Sequence, residues 1–238
     1  MAIFQEIEPI ETKRTSRLRY LLKEAGASLV GFANLGCLSL KMTDEFPFGI
    51  CFCLRYDDSV VDDLPNDDSW LRMSAQLRDR AKDISSTAKE FISSQGYRYS
   101  TITSSISPYE LPDLQEELPQ KTLATLSGLG WIGNSALLVT PEHGPRVRIG
   151  TLITDMPLSA GTPIVDSSCG HCTACVDACP VKAVKGDLWS SGIMRSRLLD
   201  VKRCNEYLWS TKPTLGRKQT CAICLKVCPL GKKHKNDG

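Results

Sequence analysis

Two cysteine blocks near the end of the 238-residue chain constrain its fold more than any other feature. The first block reads Cys169-Gly-His-Cys-Thr-Ala-Cys-Val-Asp-Ala-Cys-Pro180, a C-x2-C-x2-C-x3-C-P pattern. This pattern is typical of bacterial two-cluster ferredoxins, in which three cysteines hold one [4Fe–4S] cluster and the fourth reaches the other. The second block, Cys221-Ala-Ile-Cys-Leu-Lys-Val-Cys-Pro229, is one cysteine short, and Cys204 can supply the missing thiolate.

We expect these eight cysteines to hold two [4Fe–4S] clusters. One cluster would be bound by Cys169, Cys172, Cys175 and Cys228, and the other by Cys179, Cys204, Cys221 and Cys224. A disulfide framework is less consistent with the pattern, because it needs an oxidising compartment and usually a small chain. Zinc sites commonly use two C-x2-C pairs, which leaves a third cysteine and the following proline unexplained in each block.

The eleven cysteines and the start of the chain together predict a protein of the reducing cytoplasm. The first residues lack the basic start and apolar run of a signal peptide, and no stretch of eighteen apolar residues predicts a membrane span. Cys51 and Cys53 fall on one face of a predicted strand, where we interpret them as small packing residues, and Cys37 has less support still as a ligand.

Charge is unevenly distributed along the chain. Residues 166–238 hold 13 lysines and arginines against 6 acidic residues, whereas the rest is net acidic. We interpret the basic end as compensation for the negative charge of the clusters and their thiolates. The alternative is a surface for nucleic acid or for an acidic redox partner, with tRNA phosphates as one such ligand for the basic tail.

The residues before the cysteine blocks alternate between helical and strand patterns. Hydrophobic spacing predicts helices over 15–26, 69–95 and 120–127. Apolar runs predict strands over 27–34, 48–56 and 97–106, and a hairpin formed by 136–140 and 147–154. Residues 57–68 and 108–119 are predicted to be acidic loops, and 161–168 a linker. We therefore predict an α/β or α+β domain over 1–165 and a cluster-binding domain over 166–238.

The order of these motifs resembles the epoxyqueuosine reductase family. The resemblance rests on Gly-Leu-Gly-Trp-Ile-Gly at 128–133, the run Gly-Thr-Leu-Ile-Thr-Asp at 150–155, the first cysteine block, and Cys204 before the second. That family reduces the epoxide of a modified tRNA base with cobalamin and two [4Fe–4S] clusters, and it is similar to reductive dehalogenases. The resemblance implies a nitroreductase-like α/β cofactor domain followed by a small bacterial-type two-cluster ferredoxin module.

The resemblance also implies roles for the glycine-rich stretch. Gly128, Gly130 and Gly133 would let the backbone approach a corrinoid, with Trp131 at its edge. An ordinary turn with a buried tryptophan explains the same residues equally well.

The chain departs from the family pattern in two places. We expect the family's tRNA-binding helical repeats to be absent, since this chain ends within ten residues of Pro229. Counting back from Trp131 without gaps, the position of the family's general acid falls on Leu114, which cannot donate a proton. The candidate donors are therefore the nearby residues Asp113, Tyr109, Glu116 and Glu117. Each of these four is alternatively a solvated loop residue.

Two functional classes follow. In the first, the protein is a cytoplasmic reductase whose clusters pass single electrons from a ferredoxin- or flavodoxin-like donor to a cofactor or substrate in the 1–165 domain. Cobalamin is the first candidate for that cofactor and flavin the second. In the second class, the protein is a redox carrier that delivers electrons to a partner, such as a corrinoid protein, without substrate chemistry. We expect a homodimer in either class, and neither requires a membrane.

Overall fold

The computed structural model describes residues 10–38, 40–64, 67–102, 118–211 and 221–232. The first element is helix α1, Ile10–Glu24, which buries Leu18 and Leu22 one turn apart. Gly26, with a φ of +100°, follows the helix, as expected for a glycine in the left-handed region after a helix end. The helix predicted for this part of the chain is therefore confirmed.

A four-stranded sheet follows, in the order β1-β2-β6-β3. Its strands are β1 (Leu29–Asn34), β2 (Phe48–Arg55), β3 (Tyr99–Thr101) and β6 (Val147–Thr154). Strand β1 pairs antiparallel with β2, and β3 pairs antiparallel with β6. Cys51 and Cys53 on β2 are completely buried, in agreement with their predicted packing role.

The other helices before the cysteine blocks are α2 (Lys41–Glu45), α3 (Asp58–Asp62), α4 (Asp67–Ser94) and α5 (Gln120–Leu126). The long amphipathic helix is confirmed, because α4 buries the predicted stripe at Trp70, Met73, Leu77, Ile84 and Ala88. The prediction of a loop over 57–68 was wrong at α3. There the Asp57 carboxylate accepts a hydrogen bond from the Ser59 backbone N–H and caps the helix.

The hairpin predicted between 136–140 and 147–154 was also wrong. Residues Leu138–Val139 form β5, which pairs antiparallel with β4, Trp131–Ile132, in a separate two-stranded ribbon. The chain does turn where predicted, since Thr140 and Gly144 exchange backbone hydrogen bonds of 2.9 and 2.8 Å. After this turn, however, the chain enters β6 of the four-stranded sheet instead of pairing with β5.

Four short helices follow in this part of the chain: α6 (Ala174–Ala178), α7 (Arg195–Leu198), α8 (Val201–Thr211) and α9 (Ile223–Lys226). Helix α6 carries Cys175 of the first block, α8 carries Cys204, and α9 carries Cys224 of the second block. Helix α6 packs against α9, so the two blocks meet although they are far apart in sequence. None of the helices in the described residues combines the length and the hydropathy of a membrane span.

The chain forms two compact units. The first contains Met1–Cys53, Arg80–Gly128 and Ile149–Pro163, and the second contains Leu54–Asp79, Leu129–Arg148 and Ile164–Gly238. The last division, after Pro163, lies close to the boundary predicted at residue 165. The unit with the cysteine blocks also takes in two earlier segments, one with α3 and one with the ribbon of β4 and β5. A division of the chain into the domains 1–165 and 166–238 stays a prediction.

Candidate metal centre

Four cysteines gather where the first block meets the end of the second. The backbone N–H of Cys172 bonds to the carbonyl of Cys169 across a tight turn at Gly170, and Cys175 follows on α6. The pKa of the Cys175 thiol is raised to about 11, chiefly by burial and in part by the neighbouring sulfurs of Cys169, Cys228 and Cys172. Cys228 in turn has Cys169 and Cys172 as electrostatic neighbours.

The other four cysteines gather around Cys224 on α9. The pKa of this thiol is raised to about 12, chiefly by burial and in part by the nearby sulfurs of Cys221, Cys204, Cys175 and Cys179. Burial likewise raises the pKa of Cys204, with Cys221 and Cys179 next in effect, while the positive charge of Arg195 opposes the shift. Cys175 belongs to the first group and is also a neighbour of Cys224, so the two groups lie side by side.

These two groups suit cations better than they suit free thiolates. Burial and, after it, the neighbouring sulfurs disfavour the thiolate and raise the pKa of Cys175, Cys204, Cys224 and Cys228, and a bound metal would offset both effects. In the described residues, no three His, Cys, Asp or Glu side chains meet at the distances of a mononuclear site. A [4Fe–4S] cluster does not need such a site, because each of its four irons binds one thiolate. The groups coincide with the predicted ligand sets, whose assignment stays a prediction.

The ribbon of β4 and β5 contacts the first cysteine block directly. The indole Nε1 of Trp131 donates to Sγ of Cys169 over 3.5 Å, and Nδ2 of Asn134 donates to the carbonyl of Cys172 over 3.0 Å. In the second group, the backbone N–H of Ala183 donates to Sγ of Cys179 over 3.2 Å. Hydrogen bonds of this kind to cluster sulfurs help to set reduction potentials.

The glycines of the 128–133 stretch are packed against protein atoms. A β-carbon added to Gly128 would lie 2.7 Å from the carbonyl O of Thr162, and one added to Gly130 would lie 2.1 Å from that of Val139. At Gly133 the added atom would lie 2.7 Å from Cγ2 of Val139 and 3.3 Å from Sγ of Cys169. Close protein packing thus accounts for these three positions, and their predicted contact with a cofactor stays a prediction.

Sequence reasoning missed Arg146, whose side chain is completely buried. It donates from Nη1 to Oδ1 of Asp58 over 2.9 Å and from Nη2 to Oδ1 of Asp62 over 2.7 Å. Burial disfavours the guanidinium charge, but these hydrogen bonds outweigh that effect and raise the pKa of Arg146. Its charge also opposes the rise in the pKa of Cys228, so the buried Arg146 lies within electrostatic range of the first group.

The sequence offers a partial signal for this network. Asp57 followed by Ser59 and two valines is a recognisable helix start, which places Asp58 on the first turn of a helix. Nothing in the alternating run around Arg146 distinguishes it from the neighbouring Arg148. The burial of Arg146 goes with its bonds to Asp58 and Asp62, which lie 88 and 84 residues earlier in the chain.

A cavity of about 500 Å³ lies in the first unit, within the size range of small-molecule sites. Its lining mixes apolar side chains with a few polar ones: Leu40, Lys41, Met42, Glu45, Phe46, Ser100 and Ile153. Ser100 belongs to β3 at the edge of the sheet. The candidate acids Tyr109, Asp113, Glu116 and Glu117 lie outside the described residues.

Three comparisons bear on these groups of cysteines. Residues 168–231 match the family model described as a 4Fe-4S double cluster binding domain. The epoxyqueuosine reductase of Listeria monocytogenes is 36% identical over 127 residues, which are 50% of this chain and 31% of that relative. The chain therefore spans about a third of the length of this curated relative. The predicted resemblance to epoxyqueuosine reductase and the predicted iron–sulfur character are confirmed.

Solved structures show the same fold at low identity. An epoxyqueuosine reductase solved with a tRNA-Tyr epoxyqueuosine-modified tRNA stem loop has a TM-score of 0.62 and 20% identity, covering 93% of this chain and 66% of that one. A reductive dehalogenase described with a B12-dependent mechanism has a TM-score of 0.71 and 18% identity, covering 98% and 34%. The mixed α/β class is confirmed, and the nitroreductase-like description stays a prediction.

Proposed function

We propose that this chain is an iron–sulfur reductase that passes single electrons through two [4Fe–4S] clusters. The observation that carries the proposal is that α6, which carries Cys175, packs against α9, which carries Cys224, and so brings the two cysteine blocks together. The match to a double-cluster domain covers the same residues, and the curated relative of known name is a reductase. Two neighbouring clusters suit this task because each exchanges one electron with little rearrangement of its ligands.

The side chains around the groups would control the clusters in three ways. The cysteines would hold the irons, and Cys179 is the one of the eight that is buried. Trp131, Asn134 and the backbone N–H of Ala183 would fix ligand orientation through the hydrogen bonds described above. Arg195, which lies close enough to Cys204 to affect its pKa, would offset part of the negative charge of the second cluster.

We further propose that the electrons reach a cofactor or substrate bound by the residues before 165, in a nitroreductase-like domain. The cavity of the first unit supports this part of the proposal, since its lining combines apolar surface with Lys41, Glu45 and Ser100. When bound, cobalamin would supply the reductive chemistry. The support for cobalamin is the neighbour described as B12-dependent, rather than the glycines at 128–133, and flavin is the second candidate.

The substrate and partners belong to the same proposal. We propose a ferredoxin- or flavodoxin-like electron donor and a cytoplasmic location. A modified tRNA is one candidate substrate, because one solved neighbour contains a tRNA stem loop. A corrinoid protein partner and a homodimer stay predictions.

Anaerobic reconstitution tests the cluster part of the proposal. About eight irons and eight sulfides per chain are expected, with the broad visible absorbance of [4Fe–4S] clusters. About four irons would contradict a two-cluster protein. The C37S variant is the matched control, because Cys37 is exposed and belongs to neither group.

Cofactor retention tests the reductase part. The loaded protein is incubated with hydroxocobalamin or with flavin, desalted, and examined by visible spectroscopy. Retained corrinoid absorbance supports a reductase with its own cofactor. Retention of neither compound by a protein with eight irons would favour the alternative, a carrier that delivers electrons to a partner.

A further inference from the structure

The contact between Trp131 and Cys169 joins the β4–β5 ribbon to a predicted cluster ligand. The indole of Trp131 is 7% exposed, and its Nε1 lies 3.5 Å from Sγ of Cys169. An indole N–H can only donate, so this buried group needs an acceptor. The sulfur of Cys169 fills that role.

The ribbon fixes the backbone that carries the indole. Trp131 is paired with Val139 in the β4–β5 register, and Gly130 allows the backbone of Val139 to approach more closely than a side chain would permit. Asn134, three residues after Trp131, bonds to the carbonyl of Cys172. The turn from Cys169 to Cys172 is therefore hydrogen-bonded at both of its ends by residues of the 131–134 segment. The position of the N–H donor is therefore built into the fold rather than left to a free side chain.

A fixed donor at a ligand sulfur favours the reduced form of a cluster. Reduction adds negative charge that is shared with the thiolate sulfurs, so an N–H group aimed at a sulfur stabilises the reduced state more than the oxidised one. The donor raises the reduction potential, and its removal lowers it. The effect is largest in a site from which water is excluded.

We propose that Trp131 is a positioning residue that raises the reduction potential of the cluster bound by Cys169, Cys172, Cys175 and Cys228. The proposal rests on the two clusters of the proposed function. It assigns Trp131 to the cluster rather than to the edge of a corrinoid. It also makes the two clusters unequal, because the indole bonds to a sulfur of the first group only.

The test is an anaerobic redox titration of the loaded protein, followed by electron paramagnetic resonance, with the W131F and W70F variants. Phenylalanine keeps the ring but removes the N–H. Trp70 is the matched control, since it is 6% exposed, lies in the same unit and packs beside Tyr56 with ring centroids 5.2 Å apart. W131F should lower the reduction potential of one cluster by about 59 mV, which corresponds to about a tenfold change in its one-electron reduction equilibrium. The other potential should stay unchanged, and W70F should move neither.

Two outcomes would overturn the inference: unchanged potentials in W131F, or equal shifts in W131F and W70F. If the wild-type protein binds about eight irons and either of these outcomes is found, the proposed function still holds. Wild-type protein with about four irons contradicts the proposed function itself, so the two failures are distinguishable.

A measurement on the wild type covers the case in which W131F does not load. Protein carrying [15N]indole tryptophan is loaded, reduced and examined by pulsed paramagnetic resonance. A 15N coupling from an indole nitrogen to the reduced cluster is expected, because the hydrogen bond places Nε1 next to a ligand sulfur. Absence of any such coupling overturns the inference.

Discussion

The carbonyl oxygen of Leu230 occupies the space where a side chain on residue 144 would begin. A β-carbon added to Gly144 would lie 2.1 Å from this oxygen, and one added to Gly231 would lie 2.0 Å from the carbonyl oxygen of His143. The turn that follows β5 and the segment that follows Cys228 therefore touch backbone to backbone. No residue other than glycine fits on either side of this contact without displacing the chain.

We expect the G144A variant to lose much of the cluster that includes Cys228. The added methyl group must push Leu230 away, and Cys228 lies only two residues earlier in the chain. G96A is the matched control, because Gly96 also has a positive φ, +78° against +53°, lies outside both cysteine blocks, and has nothing within 4 Å of its added β-carbon. Both variants place an alanine at a positive φ, so iron counting isolates the collision. Equal iron contents would contradict the prediction.

Removal of Cys204 tests the ligand that is separated from both blocks. We expect C204S to reconstitute with about four irons instead of eight, because the second group is left with three thiolates while the first keeps four. C37S should keep about eight. Retention of eight irons by C204S would show that another ligand completes the second cluster.

Removal of an acidic partner of the buried Arg146 should cost more stability than the loss of a surface ion pair. We expect D58N to destabilise the loaded protein by about 3 kcal/mol, or roughly 6–12 °C in Tm, because the buried Arg146 loses a charged partner. D187N is the control: it breaks the exposed pair with Arg197 and should cost less than about 1 kcal/mol. Anaerobic thermal unfolding measures both. Similar Tm values for the two variants would contradict the prediction.

Alkylation should distinguish three classes of cysteine. In the loaded protein, we expect iodoacetamide to modify Cys37 and to leave Cys51 and Cys53 intact, since the thiolate is the reactive form and both are buried. Burial raises the pKa of Cys51 well above its ordinary value, so raising the pH to 9 should accelerate its modification little. The cluster ligands should react only after chelation and unfolding. Mass spectrometry that shows early modification of Cys51 would contradict this picture.

The predictions that succeeded depend on patterns contained in short stretches of sequence. The cysteine spacing, the stripe from Trp70 to Ala88 and the strands around Cys51 are each complete within a few helical turns or one strand. Local periodicity decides such elements, and a single sequence displays it directly.

The failures share a different cause. Whether 147–154 pairs with β5 or with β2 and β3 depends on residues far away in the sequence, and so does the burial of Arg146. Strand β4 was missed because Trp131 and Ile132 stand between glycines that suggested only a turn. The two-residue strand is defined by its partner, Val139 and Leu138, rather than by its own composition.

Because the two cysteine groups interleave along the chain, formation of one cluster favours formation of the other. Cys175 and Cys228 are 53 residues apart, and Cys179, Cys204, Cys221 and Cys224 all lie between them. Once the second cluster has formed, the free chain in the loop between Cys175 and Cys228 shortens from 53 residues to about eight, four on each side. The entropic cost of closing that loop then falls by about 2 kcal/mol. Loading should therefore be cooperative. At limiting iron, native mass spectrometry should find fully loaded and empty chains in excess of half-loaded ones.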